Sequence, residues 1–164
     1  MRRALGSMAL VLATAIAAAP AAAQTVVKRL QSEGGRIASG VWVGDMFYLS
    51  GQLPSPVTPA DSAKGTPAVF GNTEKQAESV FLKIESALKE QGLGMGDVVM
   101  MRVYLAADPA MGGKFDSGGM NAAFSKFFGT PEQPNKPARS TFGVAALVAA
   151  GALLEIEVQA ARSK

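Results

Sequence analysis

The chain has no cysteine and no histidine in 164 residues. Disulfides, thiolate nucleophiles, Ser-His relays and imidazole metal sites are therefore excluded. A metal site would need oxygen ligands alone, and no EF-hand-like spacing of carboxylates occurs, so none is expected. The chemistry must rest on Arg, Lys, Asp, Glu, hydroxyls, amides and water. A concentrated excess of one charge is missing too, with 16 Lys and Arg against 13 Asp and Glu. No basic stripe of the kind a nucleic-acid face carries is visible, so no nucleic-acid partner is expected.

Long apolar runs are equally scarce. The one that opens the chain, Ala4 to Ala19, follows a basic Arg2-Arg3 pair and is broken by Pro20. It falls short of the ~20 residues of a spanning helix. Ala21-Ala22-Ala23 supplies the small side chains that signal peptidase accepts. Residues 1–23 read as a cleavable signal peptide, leaving Gln24 first in a periplasmic or secreted protein. Loss of Arg2 and Arg3 lowers the formal net charge from +3 to +1. No Cys follows the run, which excludes a lipoprotein anchor, and no stable membrane association is expected after cleavage.

Residues 24–164 suit a single domain. Thr25 to Leu30 is β-prone, and Val41 to Leu49 reads as strands paired about Gly44-Asp45, ending at Ser50-Gly51-Gln52. Residues 53–72 hold four Pro and two Gly and read as a long irregular loop. Thr73 and Gln76 have capping-box spacing ahead of a helix whose stripe is Ala77, Val80, Phe81, Ile84 and Leu88. Asp97 to Ala106 reads as a central strand. Residues 108–119 form a second Gly-rich loop. Met120, Ala123, Phe124, Phe127 and Phe128 mark a second helix, stopped by Gly129 and Pro131.

Two strands follow, Arg139 to Leu147 and Ala152 to Ala161. In the last, Leu154, Ile156, Val158 and Ala160 share one face, with Glu155, Glu157 and Gln159 on the other. The coarse order β-β-α-β-α-β-β predicts an α+β domain with both helices on one face of a mixed sheet. Its apolar strands carry few charges, so another subunit is expected to cover the second face.

Several ordered pieces carry a family resemblance. They are Gly40-Val41, Ser50-Gly51-Gln52, Gln76-Ala77, Asn121 with Phe127-Phe128, Pro137-Ala138-Arg139-Ser140, Val144-Ala145-Ala146-Leu147 and Leu154-Glu155-Ile156-Glu157. As an ordered set the chain resembles the Rid family of reactive intermediate deaminases, also called YjgF-like proteins. The resemblance implies a chorismate-mutase-like fold and a homotrimer with ligand clefts between subunits. It also implies cofactor-free hydrolysis of imines and enamines such as 2-aminoacrylate to 2-keto acids and ammonia. The family's familiar members are intracellular.

Within that resemblance Arg139 is the candidate that grips a substrate carboxylate through paired hydrogen bonds. The bland alternative for Arg139 is a surface or intersubunit ion pair. Glu155 is the candidate that places water and takes its proton, and Glu157 is assigned to a polar sheet face. Thr141 lies on the same strand face as Arg139 and offers a second anchor. Gly51 either lets backbone approach a ligand or makes a turn. Asn121 either binds substrate or ties down a neighbouring loop. Ile37 stands where well-established deaminases often carry Tyr, Thr141 where many members have Cys, and Val148 where many have Pro. The leading reading is an imine/enamine deaminase. A non-catalytic module for a small carboxylate is the alternative, and an endoribonuclease ranks last.

Overall fold

A computed structural model of the chain describes residues 24–162. Residues 1–23, expected to be a signal peptide, lie outside them. Eight main elements follow in order: β1 (Val27–Leu30), β2 (Gly40–Val43), β3 (Met46–Gln52), α1 (Thr73–Glu90), β4 (Val98–Ala106), α2 (Ser117–Phe127), β5 (Ala138–Val144) and β6 (Leu154–Ala161). The Val41–Leu49 segment is a hairpin of two strands, so three strands precede the first helix. Gly44 takes φ 58° in its turn, a left-handed conformation that favours glycine.

The six strands form one mixed sheet in the order β1-β2-β3-β6-β4-β5. Only β4 and β5 run parallel, and α2 makes their crossover. The last strand, β6, sits between β3 and β4 and pairs antiparallel with both. Its alternation is as the sequence reads: Leu154, Ile156, Val158 and Ala160 are buried, while Glu155, Glu157 and Gln159 are only partly covered. Both helices pack on the apolar side. The α1 stripe of Ala77, Val80, Phe81, Ile84 and Leu88 is fully buried. Phe81 meets Phe127 and Phe128 of the α2 end at centroid distances of 5.0 and 5.8 Å. No element of the described residues covers the other face of the sheet, where Tyr48 and Phe142 are exposed.

Three local readings change. Asn72, not Thr73, caps α1, its side chain accepting from the Lys75 N–H at 3.0 Å. Gln76 is thereby released from a capping box and is buried in the core instead. Its amide nitrogen donates to the Gly71 and Gly151 carbonyls, and its oxygen accepts from the Leu153 N–H at 2.8 Å. The strand beginning near Arg139 ends at Val144, and residues 145–151 make a turn into β6. Residues 53–72 fold back on themselves through two bridges, Thr58 to Val69 and Asp61 to Thr66. Gln76→Leu keeps the volume but strands buried backbone groups that the amide satisfies. It is expected to cost about 2–4 kcal/mol, read as a lower urea midpoint at unchanged slope.

Candidate functional site

Arg139 is the second residue of β5 and pairs with Met101 of β4, whose side chain is buried beneath the helices. Arg139 therefore emerges on the helix-bearing side of the sheet. Its guanidinium lies 4.5 Å above the Phe124 ring, and Nη2 donates to Asn121 Oδ1 at 2.7 Å. Asn121 and Phe124 are neighbours one turn apart on α2, so one helix face holds both the edge and the underside of the cation. Among the described residues no carboxylate pairs with Arg139, and the remaining N–H groups of its fork stay available to an anion. Thr141 pairs with Val103 and is exposed on the same side. Asn121 thus ties down the arginine rather than a loop.

Glu155 stands on the opposite face. Its cross-strand partner on β4 is Tyr104, whose neighbours Val103 and Leu105 point into the core. The Glu155 side chain lies directly over Gly51, where an added Cβ would fall 1.9 Å from Oε1. Gly51 is inside β3, beside the irregular register between Leu49 and Gln52, and its φ is not positive. This corrects the turn alternative: the glycine supplies room for the carboxylate. Among the described residues the Glu155 side chain makes no hydrogen bond or ion pair. Glu157, two residues on, is neutralised by Arg102 Nη1 at 2.6 Å. That pair holds the Arg102 pKa above its ordinary value. The Tyr104 hydroxyl pKa is pushed up by burial first and by the Glu157 charge next. Tyr104, Val144, Leu147, Glu155 and Glu157 line an open depression of about 320 Å³.

Ile37 is 75% exposed in the connection between β1 and β2. Ser50 Oγ donates to the Ala38 carbonyl at 2.7 Å, and the Ser50 N–H to that of Ser39. These bonds tie the Ile37 segment to the strand that carries Gly51. The candidates thus fall into two groups, Arg139, Thr141 and Asn121 on one side of the sheet, and Glu155, Gly51 and Ile37 associated with the other strands. Sequence reasoning missed Ser50, which ties down the Ile37 segment, and Tyr104, which stands opposite Glu155. The signals available for them were only the Ser50-Gly51-Gln52 motif and strand alternation in β4.

The model of the Endoribonuclease L-PSP family matches residues 27–162. The chain belongs to that family. Its members include proteins named RutC and YjgF, as the sequence resemblance implies. A RutC family protein of Saccharolobus solfataricus is 36% identical over 129 residues, 79% of this chain and 89% of that protein. The crystal structure of yeast Mmf1 superposes with a TM-score of 0.63 at 27% identity, covering 84% of this chain and all of that one. A YjgF/YER057c/UK114 family structure from Mycobacterium tuberculosis shares the fold, with a TM-score of 0.59 at 22% identity over 84% of this chain and 100% of that one.

Proposed function

We propose that the protein is an exported, cofactor-free deaminase that hydrolyses imines and enamines of 2-amino acids in clefts shared between copies of a homotrimer. One observation carries the reading. Arg139 and Glu155 both lack a partner of opposite charge among the described residues, yet they lie on opposite faces of one sheet. A closed ring of chains unites them, one subunit supplying the cation and its neighbour the carboxylate. The uncovered sheet face, with exposed Tyr48 and Phe142, supports the same assembly.

In this reading the Arg139 fork holds the substrate carboxylate, and Thr141 adds a hydroxyl donor beside it. An enamine first gains a proton at its terminal carbon and loses one from nitrogen, becoming the imine. Glu155 positions a water against the C=N carbon and takes its proton as the C–O bond forms. That proton passes to nitrogen to give a carbinolamine, and the hydroxyl proton then follows it to nitrogen, by way of Glu155, as the C=O bond forms, the C–N bond breaks and ammonia leaves a 2-keto acid. Water is the only co-reactant. Binding without turnover is the second reading, favoured by Ile37, whose exposed side chain offers no hydroxyl to the site.

The test is ammonia release by purified protein from imines generated in situ, with Arg139→Ala as control. Release above background that the variant loses is the expected result. Keto-acid binding without release selects the binding module, and RNA cleavage in parallel incubations would select the endoribonuclease. Export is tested separately. The intact mass of periplasmic protein is expected to lack residues 1–23, and a full-length membrane-bound product would overturn it.

A further inference from the structure

On the helix-bearing side of β5, Arg139, Thr141 and Gly143 form an exposed row. Successive members are ~6.6 Å apart along the strand. The Arg139 end is floored by Phe124. The Gly143 end is covered by a second ring: a Cβ placed on Gly143 would lie 2.7, 2.8 and 3.1 Å from three atoms of Phe115. The φ of Gly143 is not positive, so its lack of a side chain serves this contact rather than a turn. Phe115 is also held in place. Asp108 and Lys114 close the preceding loop, the Ser117 N–H donates to the Phe115 carbonyl, and Asp116 caps α2 immediately after it. Half of the Phe115 residue remains exposed.

We propose that Phe115 selects the substrate side chain, favouring 2-imino and 2-oxo acids with extended apolar groups over three-carbon ones. The inference rests on the carboxylate-binding role proposed for Arg139. An acid anchored by Arg139 and Thr141 that extends along β5 meets the Phe115 ring about one row spacing later, roughly 6.6 Å on. A methyl group stops short of it, whereas a branched four-carbon side chain reaches the ring. Each fully buried methylene multiplies affinity about fourfold. Three additional carbons, half covered by one ring face, therefore give a preference on the order of tenfold.

Calorimetry with pyruvate and 4-methyl-2-oxopentanoate tests this on the unaltered protein, Phe115→Ala and Gly143→Ala. The unaltered protein is expected to bind the longer acid about tenfold more tightly. Phe115→Ala should reduce that ratio to about threefold or less while leaving pyruvate affinity unchanged. Gly143→Ala should do the same by displacing the ring, with circular dichroism confirming that both variants fold. Equal affinities in the unaltered protein, no binding of either acid, or a ratio that survives both substitutions would overturn the proposal. The ammonia assay separates it from the enzymatic reading: selective binding without release keeps the Phe115 role and removes catalysis, while unselective release does the reverse.

Discussion

Chains carrying Arg139→Ala and chains carrying Glu155→Gln, each nearly inactive alone, are expected to recover activity when refolded together in equal amounts. Glu155→Gln keeps shape but not basicity, and should lower turnover about 10²-fold to 10⁴-fold with product affinity little changed. Arg139→Ala removes a charge-assisted contact worth about 1.5–3 kcal/mol, and should weaken keto-acid binding as well as turnover. In the proposed assembly, a working cleft needs an intact Arg139 from one chain and an intact Glu155 from its neighbour. Random assortment in a closed ring meets both conditions at roughly a quarter of the clefts. Ammonia release at about that fraction of the unaltered rate, after mixed refolding but not after simple mixing of stable assemblies, is the measurement. No recovery would mean that one chain supplies both groups, or that neither contributes. The stability of the single variants should be little changed, because Arg139 is exposed and Glu155 has no hydrogen-bonded partner to abandon among the described residues.

Gly51→Ala is expected to abolish most turnover while leaving the fold intact. The added methyl would sit 1.9 Å from Glu155 Oε1 and 2.9 Å from the carboxyl carbon, so the carboxylate must swing away. A displacement of about 1 Å at a reacting group can cost on the order of 10²-fold in rate. The atoms displaced are the end of a flexible side chain, so the stability change should stay within about 1 kcal/mol. Turnover and a denaturation midpoint, measured on the same preparation, separate this from a structural role. A parallel loss of both would make Gly51 a packing residue. Unchanged turnover would detach Glu155 from the chemistry.

How far the sequence reached depends on the distance over which each feature is determined. The α1 stripe was legible because five apolar residues repeat at helical spacing, and the β6 faces because apolar and polar residues alternate without a break. The cap of α1 was misplaced by one residue, since Asn72 and Thr73 are both competent and only geometry selects between them. Burial of Gln76 was invisible, because two of its partners, Gly151 and Leu153, lie more than seventy residues away. Arg139 and Glu155 were singled out through their motifs, but their placement on opposite faces was not legible. Alternation orders residues within one strand, and relating β5 to β6 requires the register of both with β4. The Gly51–Glu155 and Gly143–Phe115 contacts were hidden for a simpler reason: a glycine records in sequence that space is needed, not what fills it.

The position of β6 bears on how the molecule is made. Until that strand emerges, β1–β2–β3 and β4–β5 are separate pieces with no hydrogen bonds between them, because every ladder joining them runs through β6. The pairing of β3 with β6 closes a loop of about a hundred residues, a long-range contact of the kind that slows folding. A chain still held at the ribosome or partly through a membrane pore therefore lacks the middle of its sheet and cannot lock. Late completion suits the export proposed above, because a translocation channel takes chains that have not yet folded.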